Sequence, residues 1–317
     1  MSRQTMRDVK KGWLNRRSLI KNGGVLGFFT TMLGGTVTLG STDKKLENNG
    51  SLSDSLGEFF QDHYQRMSKA EMAEAIGRIE RRAKAEHGVE ISVSADPPLE
   101  GVVYGYALNL SRCKGLRKCI EGCTRENNQS QDPQIQYIRV LEMKKGSMDM
   151  NHSDHYYDSE TVPQEGKWYL PIQCMQCDDP PCVSNCPVEA TWKEPDGITV
   201  VDYNWCIGCR YCMVGCPYWA RRFNWAEPKL PDEPNPRTHY LGNRPRMKGV
   251  VEKCTFCIQR TRKGRLPACL EACPTGARVF GNLLDPNSEI RYVLENKKVF
   301  RLKEDLGTEP KFWYYTD

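Results

Sequence analysis

Fifteen cysteines could do chemistry in this chain, and they fall in four groups. The groups are Cys113, Cys119 and Cys123; Cys174, Cys177, Cys182 and Cys186; Cys206, Cys209, Cys212 and Cys216; and Cys254, Cys257, Cys269 and Cys273. Three groups end in Cys-Pro, and the third reads C-x2-C-x2-C-x3-C-P without a mismatch. That spacing suits iron–sulfur cubanes: a short loop aims three thiolates at one cluster, and the fourth cysteine reaches across to a second. Proline after the fourth stops the backbone where no N–H partner is required. A disulfide framework suits a short secreted chain, whereas 317 residues build a core without staples, and fifteen is odd. Structural zinc takes four ligands, usually as two separated CxxC pairs. The second and fourth groups alone could pass for zinc sites; the third fits a cubane better.

The elements that must position these thiolates repeat with them. A short β-prone stretch precedes each group (102–110, 168–172, 198–203 and 249–252), and a short helix is expected after each. This repetition of strand, cysteine loop and helix is a ferredoxin pattern. A polar excursion, 124–167, contains an expected strand at 135–143, and a Pro-rich loop fills 227–248. The tail, 290–317, carries a short β-prone stretch at 299–302 and the run Phe312-Trp313-Tyr314-Tyr315, read as a packed closing segment. Upstream, 56–87 reads as helix, with a Ser68-x-x-Glu71 capping box and Met72, Ile76, Ile79 and Ala83 on one stripe. Gly88 is a stop signal, 91–93 a short strand, and Asp96-Pro97-Pro98 a break. The stripe favours packing on the chain's own core over docking to a partner.

The formal charge of +5 is concentrated at one end. Residues 1–21 carry Arg3, Arg7, Lys10, Lys11, Arg16, Arg17 and Lys21 against Asp8, a balance of +6 that leaves −1 for the remainder. No polybasic field remains to attract nucleic acid. The histidines are scattered, and His152 and His155 lie in a polar loop that reads as solvated surface. Phosphate-binding and nucleophile-elbow motifs are absent. Asn15-Arg16-Arg17-Ser18-Leu19-Ile20-Lys21 precedes a Gly-diluted apolar stretch from 23 to 40, a twin-arginine export signature. That route suits a protein folded around its clusters before export; an uncleaved anchor is the alternative reading.

The order of the groups, C-x2-C-x4-C-x3-C-P, C-x2-C-x2-C-x3-C-P and C-x2-C-x11-C-x3-C-P after a relaxed first group, resembles the iron–sulfur subunits of the dimethyl sulfoxide reductase family. Polysulfide and tetrathionate reductase B-type subunits are relatives, and the leader also resembles that of the periplasmic ferredoxin-like subunit of the sulfite-reduction-associated membrane complex. The resemblance covers 100–285. It implies an α+β fold of nested bacterial-ferredoxin-like units with an N-terminal helical extension. The expected divisions are a signal or anchor at 1–40, a linker and helix at 41–96, an outer unit at 97–173 plus 250–317, and an inner unit at 174–249.

Ligation in the family crosses over within each unit. Carried to this chain, one cluster takes Cys174, Cys177, Cys182 and Cys216, and its neighbour takes Cys206, Cys209, Cys212 and Cys186. Cys254, Cys257, Cys269 and Cys123 share a third, leaving Cys113, Cys119 and Cys273 for the last. Leu116 stands where the family has that site's second cysteine, and Thr124 replaces the following proline. The cofactors expected are three 4Fe–4S clusters and one 3Fe–4S, or incompletely ligated 4Fe–4S, cluster. The function implied is a non-catalytic electron-transfer subunit, periplasmic or otherwise extracytoplasmic and held at the membrane through its partners. Those partners are an integral-membrane quinone-reactive subunit of the polysulfide-reductase type and a molybdopterin catalytic or cytochrome (haem) subunit. A stand-alone enzyme with an open iron near Leu116, or a zinc-bound structural module, are the competing classes. No acid–base or nucleophile constellation near Leu116 supports the enzyme.

Overall fold

The computed structural model describes residues 67–317. The twin-arginine stretch and the first part of the expected 56–87 helix lie outside the described residues. Helix α1 (Lys69–His87) begins at the capping box, because Ser68 is extended (φ −64°, ψ 164°). The Ser68 hydroxyl accepts from the Glu71 amide at 3.3 Å, and the Glu71 carboxylate accepts from the Ser68 amide at 2.8 Å. Gly88, at φ 68°, closes the helix by donating to the Lys84 carbonyl. Ala75 and Ala83 are buried, and Met72, Ile76 and Ile79 pack with them around Ile91, Val93 and Tyr240. The apolar stripe therefore faces this chain's own core.

The chain continues through β1 (Ser92–Ser94), β2 (Tyr104–Asn109), α2 (Lys118–Glu126), β3 (Arg139–Lys144) and β4 (Lys167–Ile172). Next come α3 (Pro181–Ser184), β5 (Thr191–Lys193), β6 (Thr199–Val201), α4 (Tyr211–Val214), β7 (Arg221–Phe223) and β8 (Arg237–His239). The last stretch holds β9 (Val251–Lys253), α5 (Ile258–Thr261), α6 (Ala268–Glu271), β10 (Arg278–Asn282), α7 (Glu289–Asn296), β11 (Val299–Phe300) and β12 (Phe312–Tyr315). Three expectations change. The strand read at 135–143 lies at Arg139–Lys144, where it pairs antiparallel with β4. The 227–248 loop contains β8, which pairs in parallel with β1. The short helices sit inside the cysteine groups rather than after them: α2 carries Cys119 and Cys123, α3 Cys182, α4 Cys212 and α6 Cys269. Proline stops three of the groups, whereas Thr124 lets α2 run on to Glu126.

The largest sheet has the order β10-β2-β12-β11, with β12 parallel to β2 and β10 antiparallel to it. Tyr106, Leu108, Phe312 and Tyr314 are fully buried there, and the Tyr106 and Phe312 rings stack at 4.9 Å. Each such side chain contributes about 1.5–3 kcal/mol by leaving water. Helix α7 packs Ile290 and Val293 against Ala107, Val279 and Tyr315. Beside β1-β8 and β3-β4, the smaller sheets are β5-β6 and β7-β9, both antiparallel. The β7-β9 pairing joins residues on either side of the 249/250 division expected between inner and outer units.

His239, at the end of β8, is held neutral. Its Nδ1 accepts from the Leu241 amide at 3.1 Å, which leaves Nε2 to donate to the Asp96 carbonyl at 3.0 Å. Burial pulls its pKa down to about 4. The unfolded chain binds this proton more readily, so the stability His239 contributes is present above pH ~6.5 and lost as pH falls toward ~4. Between pH 7 and pH 4 this residue should remove about 3 kcal/mol of stability. Denaturant titrations at both pH values, in wild type and His239→Asn, should show that the variant lacks this component.

Candidate metal centres

The four cysteine loops share one backbone device. The residue before each second-ligand position is left-handed: Gly115 at φ 76°, Gln176 at 47°, Gly208 at 77° and Phe256 at 51°. Leu116 therefore sits on the same kind of turn as Cys177, Cys209 and Cys257. Arg117 and Arg210, each following that position, are also left-handed, at φ 55° and 67°, and cap α2 and α4. Gly208 is required by space as well as by φ, since a Cβ there would lie 2.3 Å from the Gly249 carbonyl oxygen. A second device follows the Cys-Pro steps. Glu189, Trp219 and Gly276, each three residues after the last cysteine of a group, have φ of 50°, 50° and 60°. That turn launches β5, β7 and β10.

Two helix pairs bring the groups together. Helix α3 packs on α4, and α2 on α6. In both pairs the residues preceding the last cysteines meet. A Cβ on Gly122 would lie 2.7 Å from Ala272 Cβ, and one on Gly215 would lie 2.1 Å from Asn185 Nδ2. The thiols then gather across groups. Cys206, Cys209, Cys212 and Cys186 line one recess with Arg221, and Cys113, Cys119 and Cys273 line another with Leu116 and Arg278. Cys174, Cys182 and Cys216 are the sulfurs acting on Cys177, and Cys257, Cys269 and Cys254 those acting on Cys123. Cys113, Cys182, Cys209 and Cys273 are half-buried; the other eleven are buried. His152 and His155 lie away from these recesses, His152 exposed and 2.8 Å from Asp149.

Burial raises most of the thiols. Cys177 and Cys257 are pushed up to about 12, Cys113 and Cys212 to about 11, with neighbouring sulfurs adding to the effect. Cys273 alone among them is lowered: burial acts upward, but hydrogen bonds from the Thr275 hydroxyl and the Ala277 and Thr275 amides outweigh it. So many crowded, buried sulfurs become thiolates only when a metal supplies the opposing charge. Donors also wait unpaired: Nε and Nη1 of Arg221, Nη2 of Arg278 and Nε2 of Gln173 are buried without partners. An all-thiolate donor set around recesses lined with spare N–H groups fits iron–sulfur clusters.

Further donors were not singled out from the sequence. Gln129 Nε2 donates to Cys123 Sγ at 3.1 Å, and Asn127 Nδ2 reaches Cys123 and Cys257 at 3.5 and 3.6 Å. The Tyr106 hydroxyl lies 3.3 Å from Cys269 Sγ. Asn127 and Gln129 left no periodic signal, because they belong to an irregular loop whose path depends on tertiary packing. Arg221 and Arg278 did leave one. Cys216-Pro-Tyr-Trp-Ala-Arg221 and Cys273-Pro-Thr-Gly-Ala-Arg278 repeat the same frame.

Comparison with known proteins agrees with this chemistry. The 4Fe-4S dicluster domain family matches residues 166–231 and 242–283. The chain is 41% identical over 212 residues to the Hdr-like menaquinol oxidoreductase iron-sulfur subunit 1 of Archaeoglobus fulgidus, covering 62% of this chain and 71% of that one. It is 35% identical over 213 residues to a subunit of the tetrathionate reductase of Salmonella typhimurium, covering 67% and 71%. A polypeptide of the polysulfide reductase of Wolinella succinogenes is 33% identical over 216 residues, covering 65% of this chain and 92% of that one. With ferredoxin-like dicluster sequence, mixed helix and strand, and relatives that are electron-transfer subunits, this protein belongs to the family of non-catalytic iron–sulfur subunits of dimethyl sulfoxide, polysulfide and tetrathionate reductase-type respiratory complexes.

Proposed function

We propose that this chain is exported and holds four clusters in one row, carrying electrons between a quinone-reactive membrane subunit and a molybdopterin or cytochrome subunit. The observation that carries this reading is the succession of thiol sets. Arg221 interacts with Cys212 of one set and with Cys182 and Cys174 of the next. Cys174 acts in turn on Cys254 of the third set, and Cys119 of the last set acts on Cys269. The order is then Cys206/209/212/186, Cys174/177/182/216, Cys254/257/269/123 and Cys113/119/273. The middle pair of sets belongs one to each of two nested ferredoxin-like units, inner and outer. Cys209 in one end set and Cys113 and Cys273 in the other are half-buried, as is Cys182 in the set next to the first.

When bound, such clusters supply one-electron carriers within a span of roughly −700 to +450 mV. The chain's own residues provide the thiolates, exclude water, and aim N–H donors at sulfur. At the last site Leu116 offers iron no ligand. That site, held by Cys113, Cys119 and Cys273, is proposed to carry a 3Fe–4S cluster.

Among the described residues no helix is long and apolar enough to cross a membrane, and the proposal assigns the lipid phase to a partner. Gentle solubilisation of native membranes should co-purify a multi-helix membrane protein with this chain. Recovery solely as a free monomer that turns over a substrate would contradict the reading. Export has its own test. Replacing Arg16 and Arg17 by Lys should leave the protein, clusters loaded, in the cytosol, as fractionation and absorbance would report. Unchanged extracytoplasmic accumulation would remove the twin-arginine assignment.

A further inference from the structure

Among the described residues six buried arginines divide into two kinds. Arg244, Arg246, Arg260 and Arg262 each have a carboxylate within ion-pair distance: Asp202 at 4.0 Å, Glu252 at 2.8 Å, Glu126 at 2.9 Å and Asp196 at 3.0 Å. Arg221 and Arg278, 2% and 5% exposed, have no carboxylate partner among the described residues. A buried, unpaired guanidinium costs several kcal/mol, so something else must supply the negative charge.

The thiols do. Arg221 Nη2 donates to Cys182 Sγ at 3.0 Å and to Thr191 Oγ1 at 2.9 Å. Arg278 Nη1 donates to Gln173 Oε1 at 2.9 Å and Tyr106 Oη at 3.3 Å, and lies 3.9 Å from Cys269 Sγ. The sulfurs come from two sets in each case: Arg221 reaches Cys182 of one and lines the recess of Cys186, Cys206, Cys209 and Cys212, and Arg278 lies beside Cys269 of one and lines the recess of Cys113, Cys119 and Cys273. Each arginine opens a strand five residues after the last cysteine of its group, so the repeat places the two equivalently.

We infer that Arg221 and Arg278 are paired charge-compensating residues, each seated between the two clusters of one unit and raising the reduction potentials of both. This rests on the cluster assignment proposed above. Reduction adds negative charge to a cluster, and a fixed buried cation favours that state because low dielectric preserves the attraction. Other cations lie nearby, notably Lys253 beside Cys254 and Arg139 near Cys216.

The test is a redox titration followed by electron paramagnetic resonance on purified wild type, Arg221→Met and Arg278→Met, with Arg221→Lys and Arg278→Lys as charge-retaining partners. Iron and acid-labile sulfide analysis comes first. A wild-type protein without clusters would overturn the assignment itself, separately from this inference. With clusters loaded, Arg278→Met should lower the reduction equilibrium constant of the two outer-unit clusters at least tenfold, about 59 mV for one electron. The inner two should shift much less, and Arg221→Met should do the reverse. The lysine variants should restore most of each shift. If the methionine variant loses its flanking clusters and the lysine variant keeps them, compensation is likewise supported. Unchanged potentials, shifts of equal size in all clusters, or loss of clusters in both methionine and lysine variants would overturn the inference.

Discussion

The oxidised protein, isolated without reductant, should show about one 3Fe–4S spin per chain, and Leu116→Cys should abolish it. Two observations motivate this. Leu116 lies in the same recess as Cys113, Cys119 and Cys273, so it occupies the fourth wall of that site. Gly115 keeps the left-handed turn found before Cys209, so the loop still points position 116 as a ligand loop would. A leucine there excludes water and offers no oxygen, which disfavours iron at that corner more than aspartate would. Cysteine at 116 completes the set and should give a 4Fe–4S cluster, silent when oxidised. The effect is all-or-none at this signal. Absence of the oxidised-state signal in wild type, with iron near sixteen per chain on a full count of four cubanes, would show an outside fourth ligand instead.

Substituting the last cysteine of a group should damage the neighbouring group's cluster. Cys216 belongs to the third group by sequence, yet it acts with Cys174 and Cys182 on Cys177. Cys186 belongs to the second, yet it lines the recess of Cys206, Cys209 and Cys212. Cys216→Ser should therefore cost the Cys174/177/182 site its iron, up to about four atoms per chain, or convert it to a 3Fe cluster. The Cys206/209/212 signal should survive. Cys186→Ser should do the converse. Iron analysis and the resonance spectra of both variants check the pairing, which fails if each substitution removes the cluster of its own group.

The spacing of Cys206, Cys209, Cys212 and Cys216 was sufficient to recognise cluster chemistry, because three ligands on one short loop leave a local signature. Local signals also located α1, through Ser68, Glu71 and Gly88. What escaped was non-local. Nothing near Phe312–Tyr315 indicates that this strand inserts between β2 and β11, since its parallel partner lies some two hundred residues upstream in the chain. Arg237–His239 reads as loop because proline and asparagine surround it, and only pairing with Ser92–Ser94 makes it a strand. The helices were displaced by a few residues, since proline after the last cysteine ends a helix already begun. Arg221 and Arg278 were visible as letters in a repeated Cys-Pro-x-x-Ala-Arg frame. Their meaning required seeing that no carboxylate reaches them.

The central claim, a multi-cluster electron carrier without chemistry of its own, is tested most directly by anaerobic reductive titration of the purified chain. The protein should be brown, take up about four electrons per chain as its visible absorbance bleaches, and return them to a mild oxidant without consuming substrate. A colourless, zinc-loaded protein that accepts no electrons, or a chain that turns over a substrate unaided, would contradict it.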